Sequence, residues 1–135
     1  MNRASTQRLI QRYYEAFNAG DMPGFLGLLT DDVVHDISQG DRQLGRDAFA
    51  RFMDHMNRCY RERIEDLVVM ATDDGSRAAA EFTVLGEYLQ GDADLPPAKG
   101  QRYRLRVGAF FDVRDDKVAR VTNHYNLQDW LRQVR

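Results

Sequence analysis

The hydrophobic periodicity of this chain changes once, and that change limits what the chain can fold into. From its start to about Tyr60 the apolar residues recur at helical spacing, and beyond Tyr60 they alternate along extended segments. Ile10, Tyr13, Tyr14 and Phe17 share one face of a first helix, Thr6–Ala19, with Ser5 or Thr6 as its cap and Gly20 as its stop. Asp21 caps a second helix, Met22–Leu29, whose first turn tolerates Pro23. A short strand, Val33–Ile37, precedes the Gln39-Gly40-Asp41 turn. A third helix, Arg46–Tyr60, then places Phe49, Phe52, Met53, Met56 and Tyr60 on one face. Four strands follow, roughly Ile64–Ala71, Ala78–Tyr88, Tyr103–Val113 and Val118–Tyr125, divided by Asp73-Asp74-Gly75, by the Gly91–Gly100 loop and by Asp115-Asp116. Helices first and a strand meander afterwards predict an α+β fold, a curved antiparallel sheet wrapped by N-terminal helices into a cone.

At 135 residues, the chain suits one domain, residues 1–135, with no linker or repeat. Its 19 basic and 21 acidic residues are interspersed, without the basic arm or patch that nucleic acid binding requires. The sequence opens on no apolar signal segment, which predicts a soluble cytoplasmic protein with no membrane partner. The single cysteine, Cys59, excludes an internal disulfide and reads as a buried inert thiol. His35, His55 and His124 lack the spacing of a histidine metal motif, and neither a phosphate loop nor a nucleophile elbow occurs. No metal and no cofactor are therefore expected.

Strand parity assigns the two faces of the sheet. If Phe82 and Val84 point toward the helices, Ala80, Gly86 and Tyr88 do as well, and Tyr103, Leu105, Val107, Ala109 and Phe111 take the same face of the next strand. The outer face then carries Glu81 and Glu87 beside Arg102, Arg104 and Arg106, which reads as cross-strand ion pairing rather than an anion site. On the inner face, helices over a curved sheet leave a conical apolar pocket. Phe17, Phe52, Met56, Phe82, Val84, Phe111, Asn123 and Tyr125 are the expected substrate-binding residues, although aromatic and methionine stripes more often simply fill cores. The candidate catalytic groups are His35, whose imidazole ordinarily titrates near neutral pH, Tyr13 as a phenolic donor, and Asp36, which parity turns outward unless a bulge redirects it. A histidine or tyrosine satisfied within the core is the alternative for each of the first two.

Several segments carry a resemblance that runs over essentially the whole chain. Gln11-Arg12-Tyr13, Asn18-Ala19-Gly20-Asp21, Asp31-Asp32, Glu81-Phe82-Thr83-Val84 and Lys117-Val118-Ala119-Arg120-Val121 resemble, in this order, the ketosteroid isomerase and SnoaL-like polyketide cyclase group of the nuclear transport factor 2-like, cystatin-like superfamily. Met53–Tyr60, Arg77–Phe82 and Tyr125–Trp130 are similar to the subgroup called ketosteroid isomerase-related proteins. The resemblance implies a homodimer and a small hydrophobic ligand. In the true isomerases an aspartate base moves a proton while a tyrosine and a protonated aspartic acid hold the enolate oxygen. Overlaying the helices puts Tyr13 on that tyrosine, but the base position falls on Ile37 and the acid position on Ala109. Steroid isomerisation itself is not expected. Two readings stand: an isomerase, cyclase or dehydratase using general acid–base chemistry on a carbonyl compound, or a noncatalytic ligand-binding or dimerising module.

Overall fold

Asn2 starts the first helix. The computed structural model describes residues Met1–Arg135, and in it α1 (Arg3–Ala19) begins earlier than expected because the Asn2 side chain accepts from the Ser5 amide while the Ser5 hydroxyl donates back to the Asn2 carbonyl. Thr6, free of capping, is fully buried and donates to the Gly75 carbonyl at 2.7 Å. Gly20, at φ 67°, ends the helix in the left-handed conformation. The second helix, α2 (Met22–Leu26), is shorter than Met22–Leu29, because Leu28 and Leu29 are taken by pairing: the Val118 amide donates to the Leu28 carbonyl, and β1 (Leu29–Asp36) starts there. A short edge strand, β2 (Arg42–Leu44), follows the turn, then α3 (Arg46–Cys59). The four later strands are β3 (Tyr60–Ala71), β4 (Arg77–Tyr88), β5 (Gln101–Arg114) and β6 (Lys117–Tyr125), and the chain ends in α4 (Leu127–Val134). Both β2 and α4 are additions to the expected elements.

The strands form one six-stranded sheet in the order β2-β1-β6-β5-β4-β3. Every neighbouring pair is antiparallel except β1 and β6, which run parallel, so the meander is closed off by a crossover rather than by another hairpin. Asp66, at φ 54°, sits where the β3–β4 register shifts between Glu65 and Val68; a bulge of this kind bends the strand and adds to the curvature of the sheet. Along β4 and β5 the expected parity holds: Phe82, Val84, Tyr103, Leu105, Val107, Ala109 and Phe111 are buried, while Arg102, Arg104 and Arg106 are exposed. The outer face carries the expected ion pairs, Arg106 with Glu81 at 2.8 Å and Arg77 with Asp112 at 3.0 Å among them.

Two amides tie helices to backbone that the sheet leaves unpaired. β3 is an edge, and the Asn18 side chain both donates to the Ile64 carbonyl (3.0 Å) and accepts from the Ile64 amide (2.8 Å), so the end of α1 stands in for a missing strand. Gln133 on α4 does the same for Arg104 on β5, beyond the point where β6 stops. No helix is long and apolar enough to cross a membrane.

Candidate functional site

Between the helices and the inner face of the sheet lies a cavity of about 480 Å³. Its wall is mostly apolar. Seven of the eight expected binding residues line it, namely Phe17, Phe52, Met56, Phe82, Val84, Asn123 and Tyr125. Phe111 does not. It is buried behind the wall, edge-on to Tyr13 at 5.5 Å, and serves as a support for that ring. Leu95, from the Gly91–Gly100 loop, contributes to the wall, as do Leu89 and Trp130.

His35 projects from β1 into this space, stacked on Phe49 at 4.5 Å and edge-on to Phe52 at 4.6 Å. Its Nδ1 is sealed and has no partner. Burial pulls its pKa down to about 4, against a smaller upward pull from the Asp36 carboxylate, so the imidazole is neutral at pH 7. This corrects the expectation of a group titrating near neutrality. A neutral imidazole held in this way is a hydrogen-bonding group rather than a shuttle cycling through its charged form.

Tyr13 also lines the cavity, its ring packed against Phe25 at 4.4 Å, and burial raises its pKa far above the ordinary tyrosine value. It stays a neutral donor, bonded neither to His35 nor to Asn123. Asp36 is a correction. The strand end carries no bulge that turns it inward; the carboxylate lies outside the cavity, accepting from Arg42 at 2.6 Å and meeting Arg120 at 3.4 Å. The bond from Arg42 holds its pKa below the usual carboxylate range.

The acidic group in the cavity is instead Glu62, on β3. Burial raises its pKa, and the Tyr103 hydroxyl, donating at 2.5 Å to Oε2, pulls less strongly the other way. The contact depends on a glycine. Glu62 pairs with Gly86 across β3–β4, and Gly86 pairs with Tyr103 across β4–β5, so the Tyr103 ring lies over the position where a side chain at 86 would stand. A Cβ on Gly86 would come within 2.2 Å of that ring. The Glu62 oxygen that does not face Tyr103 accepts no bond from the protein. Around the pair stand Tyr60 and Tyr88, stacked at 5.4 Å, and Trp130, edge-on to Tyr103 at 5.9 Å. His35 and Glu62 therefore occupy opposite flanks of one cavity, with β6, β5 and β4 between their strands. Beginning this strand at Ile64 hides Glu62; carrying the inward parity of Ile64 back through Glu62 to Tyr60 recovers both.

Comparison with known proteins agrees with this architecture. Residues 10–121 match the model of the SnoaL-like domain. A search of curated proteins found no match. Among solved structures, a candidate polyketide cyclase from Pseudomonas putida KT2440 is 62% identical, with a TM-score of 0.95, over 96% of this chain and 98% of that one. Candidate polyketide cyclases from Xanthomonas campestris pv. campestris and Silicibacter sp. TM1040 are 52% and 47% identical, each with a TM-score of 0.96 over the whole of this chain and 100% and 98% of theirs. The helices, the six-stranded curved sheet and the sequence match together place the chain in the SnoaL-like family, within the nuclear transport factor 2-like fold.

Proposed function

We propose that this protein is a cofactor-independent enzyme that moves a proton next to a carbonyl group of a small hydrophobic substrate, the enolisation step shared by isomerases, cyclases and dehydratases. The observation that carries this reading is Glu62: a carboxyl group desolvated in an apolar cavity, with one oxygen held by Tyr103 and the other unbonded. A carboxylate whose pKa is raised toward the working pH is a stronger base than an ordinary surface glutamate, and general acid–base catalysis by such a group contributes typically ~10²–10⁴-fold. Glu62 takes the proton from the carbon beside the carbonyl. The resulting enolate oxygen, on the next carbon, accepts from neutral donors within reach of Glu62, for which Tyr125, whose hydroxyl pKa is raised by burial and by the Glu62 charge, and Tyr13 are the candidates on the cavity wall, while His35 on the opposite flank meets the far end of the substrate. Phe17, Phe52, Met56, Phe82 and Val84 supply the apolar grip, and Asn123 and Tyr125 the polar orientation. The cyclase descriptions of the three similar structures support the same class, since ring closure of a polyketone begins with an enolate.

The test uses 2-tetralone, a hydrophobic ketone with acidic α-protons, in D₂O. Wild-type protein is expected to accelerate deuterium incorporation at the α-carbon, read by NMR, and Glu62→Gln to lose that acceleration while still binding the ketone. Binding without exchange in the wild type would instead make the cavity a ligand carrier.

A further inference from the structure

Outside the cavity, three side chains of different chemistry converge where α3 meets the Gly91–Gly100 loop. His55 Nε2 lies 2.9 Å from Asp92 Oδ1 and 3.8 Å from Cys59 Sγ, and the three ligand atoms all fall within 4.8 Å of one another. His55 and Cys59 are one helical turn apart, and so lie on the same face of α3. Asp92 comes from the loop and is anchored through its other oxygen, which accepts from the Tyr60 hydroxyl at 2.8 Å.

A thiol, an imidazole and a carboxylate in contact suggest a nucleophilic triad, but this geometry rules one out. A triad histidine uses one ring nitrogen for the thiol and the other for the carboxylate. Here the same nitrogen, Nε2, faces both. One nitrogen holds either a proton or a lone pair and cannot relay between two partners on its own side. Burial also raises the Cys59 pKa, the opposite of an activated nucleophile.

What a nitrogen, a sulfur and a carboxylate oxygen around a common point do fit is a cation. Tetrahedral zinc, with bonds of about 2.0–2.1 Å to nitrogen and oxygen and about 2.3 Å to sulfur, sets its ligand atoms roughly 3.3–3.6 Å apart. The two separations from His55, 2.9 and 3.8 Å, lie within a few tenths of an ångström of those values, and the third, between Cys59 and Asp92, is at most 4.8 Å, so binding draws the loop carboxylate and the thiol toward a common centre. Thiolate with imidazole favours zinc and its neighbours over calcium or magnesium, and the two negative charges neutralise a divalent ion. The Tyr60–Asp92 bond orients the carboxylate as outer-shell partners of metal ligands do.

We propose that His55, Cys59 and Asp92 bind a divalent transition metal of the zinc type, with a fourth position left to water, and that the ion clips the Gly91–Gly100 loop to the end of α3. On binding, the Cys59 thiol gives its proton to solvent and the thiolate bonds the metal. Because Tyr60 and Leu95 line the cavity, the ion would fix one part of its wall.

The full chain, stripped with a chelator and titrated with Co²⁺ under reducing conditions, tests this independently of any turnover. One equivalent is expected to give the thiolate-to-cobalt charge-transfer band in the near ultraviolet together with the visible bands of a tetrahedral site, and Zn²⁺ is expected to abolish both and raise the thermal midpoint. Cys59→Ala should remove the charge-transfer band, and Tyr60→Phe should weaken Zn²⁺ binding by about 10–100-fold. Asp92→Asn, a change on a surface loop, keeps the test open should the buried cysteine variant misfold; it should leave the fold intact by circular dichroism and remove the midpoint rise. Absence of the band in the wild type, or equal Zn²⁺ stabilisation of the wild type and Asp92→Asn, overturns the proposal.

Discussion

Tyr103 reaches over strand β4 to donate its hydroxyl proton to Glu62 at 2.5 Å, passing across Gly86, the one position on that row without a side chain. The bond spans three strands and fixes the orientation of the only acid on the cavity's inner wall. Glu62→Gln keeps an acceptor for Tyr103 and removes the charge. Proton-transfer activity should fall by about 10²–10⁴-fold, while stability holds or rises, since a buried carboxylate is desolvated at a cost. Parallel exchange kinetics and denaturant midpoints check both halves. A variant that loses activity only in proportion to lost stability removes Glu62 from the chemistry.

The glycine can be tested by itself. Gly86→Ala places a methyl group within 2.2 Å of the present Tyr103 ring position, so the ring must move and its bond to Glu62 must lengthen or break. Overpacking of this sort costs roughly 1–3 kcal/mol. Urea unfolding should show that loss, and exchange activity should fall with it. Gly86→Ala in a Tyr103→Phe background should lose less activity, because the bond is already gone.

His35 predicts how stability depends on pH. Its pKa is about 4 when folded against 6.5 for the free side chain, so between those values the unfolded chain binds the extra proton. Stability contributed by the neutral buried ring is therefore complete above about pH 6.5 and is lost as the pH falls toward 4, by roughly 3 kcal/mol in all. Asp36, held low by Arg42, adds loss in the same direction at lower pH, whereas Glu62, raised by burial, acts in the opposite direction. The comparison is thus between wild type and His35→Phe: the variant's midpoint should fall less between pH 7 and pH 4.5. Equal slopes for the two proteins would show that the ring is hydrated in the folded state.

What could be read in advance divides along the kind of physical signal involved. The alternation of Phe82-x-Val84 and of Tyr103-x-Leu105-x-Val107 assigns the sheet faces because a period of two leaves no choice once one residue is placed. Glu62 escapes the same logic. It sits in Arg61-Glu62-Arg63, a run that resembles solvated surface, directly after a helical pattern extending to Tyr60. Strand parity reaches it only when the strand is carried back from Ile64 to Tyr60. Strand parity turns His35 inward, but its depressed pKa depends on Phe49 and Phe52 closing over it, and the distance in sequence between Asp92 and α3 hides their meeting. β2 is too short for periodicity to reveal, whereas α4 is legible after the fact: Leu127, Trp130, Leu131 and Val134 recur at helical spacing behind the Asn126 cap, and Trp130 and Val134 are buried.

A homodimer through the outer sheet face is expected. Val68, Met70 and Phe110 are about half exposed there, among ion-paired arginines, and self-complementary pairing about a two-fold axis would cover them. Light scattering at micromolar concentration should give twice the chain mass, and Phe110→Glu should shift the population toward monomer. A wild-type monomer at that concentration rejects the interface.

The protein is expected to have little or no Δ5-3-ketosteroid isomerase activity. Ile37, at the position of the isomerases' base, forms part of the apolar wall, and Ala109, at the position of their acid, is buried without reaching the cavity. Loss of one oxyanion donor costs about 10²–10³-fold and loss of the base about 10²–10⁴-fold, so a deficit of at least about 10⁴-fold against a true isomerase follows even if the two combine at their lower ends. Two groups carry the chemistry to substitute, and neither is placed to do so. His35 stands two residues along the strand from Ile37, about 6–7 Å away, whereas proton transfer needs an approach of about 2.6–3.2 Å or one bridging water. Glu62 lies across the cavity on β3, on the opposite flank from the isomerase base position. A steroid in the isomerase pose presents its proton to neither. The assay follows the conjugated enone by its ultraviolet absorbance. Turnover near that of the true isomerases, abolished in His35→Ala, would identify the histidine as a relocated base; the same turnover abolished in Glu62→Gln would mean that the substrate binds in the reverse orientation.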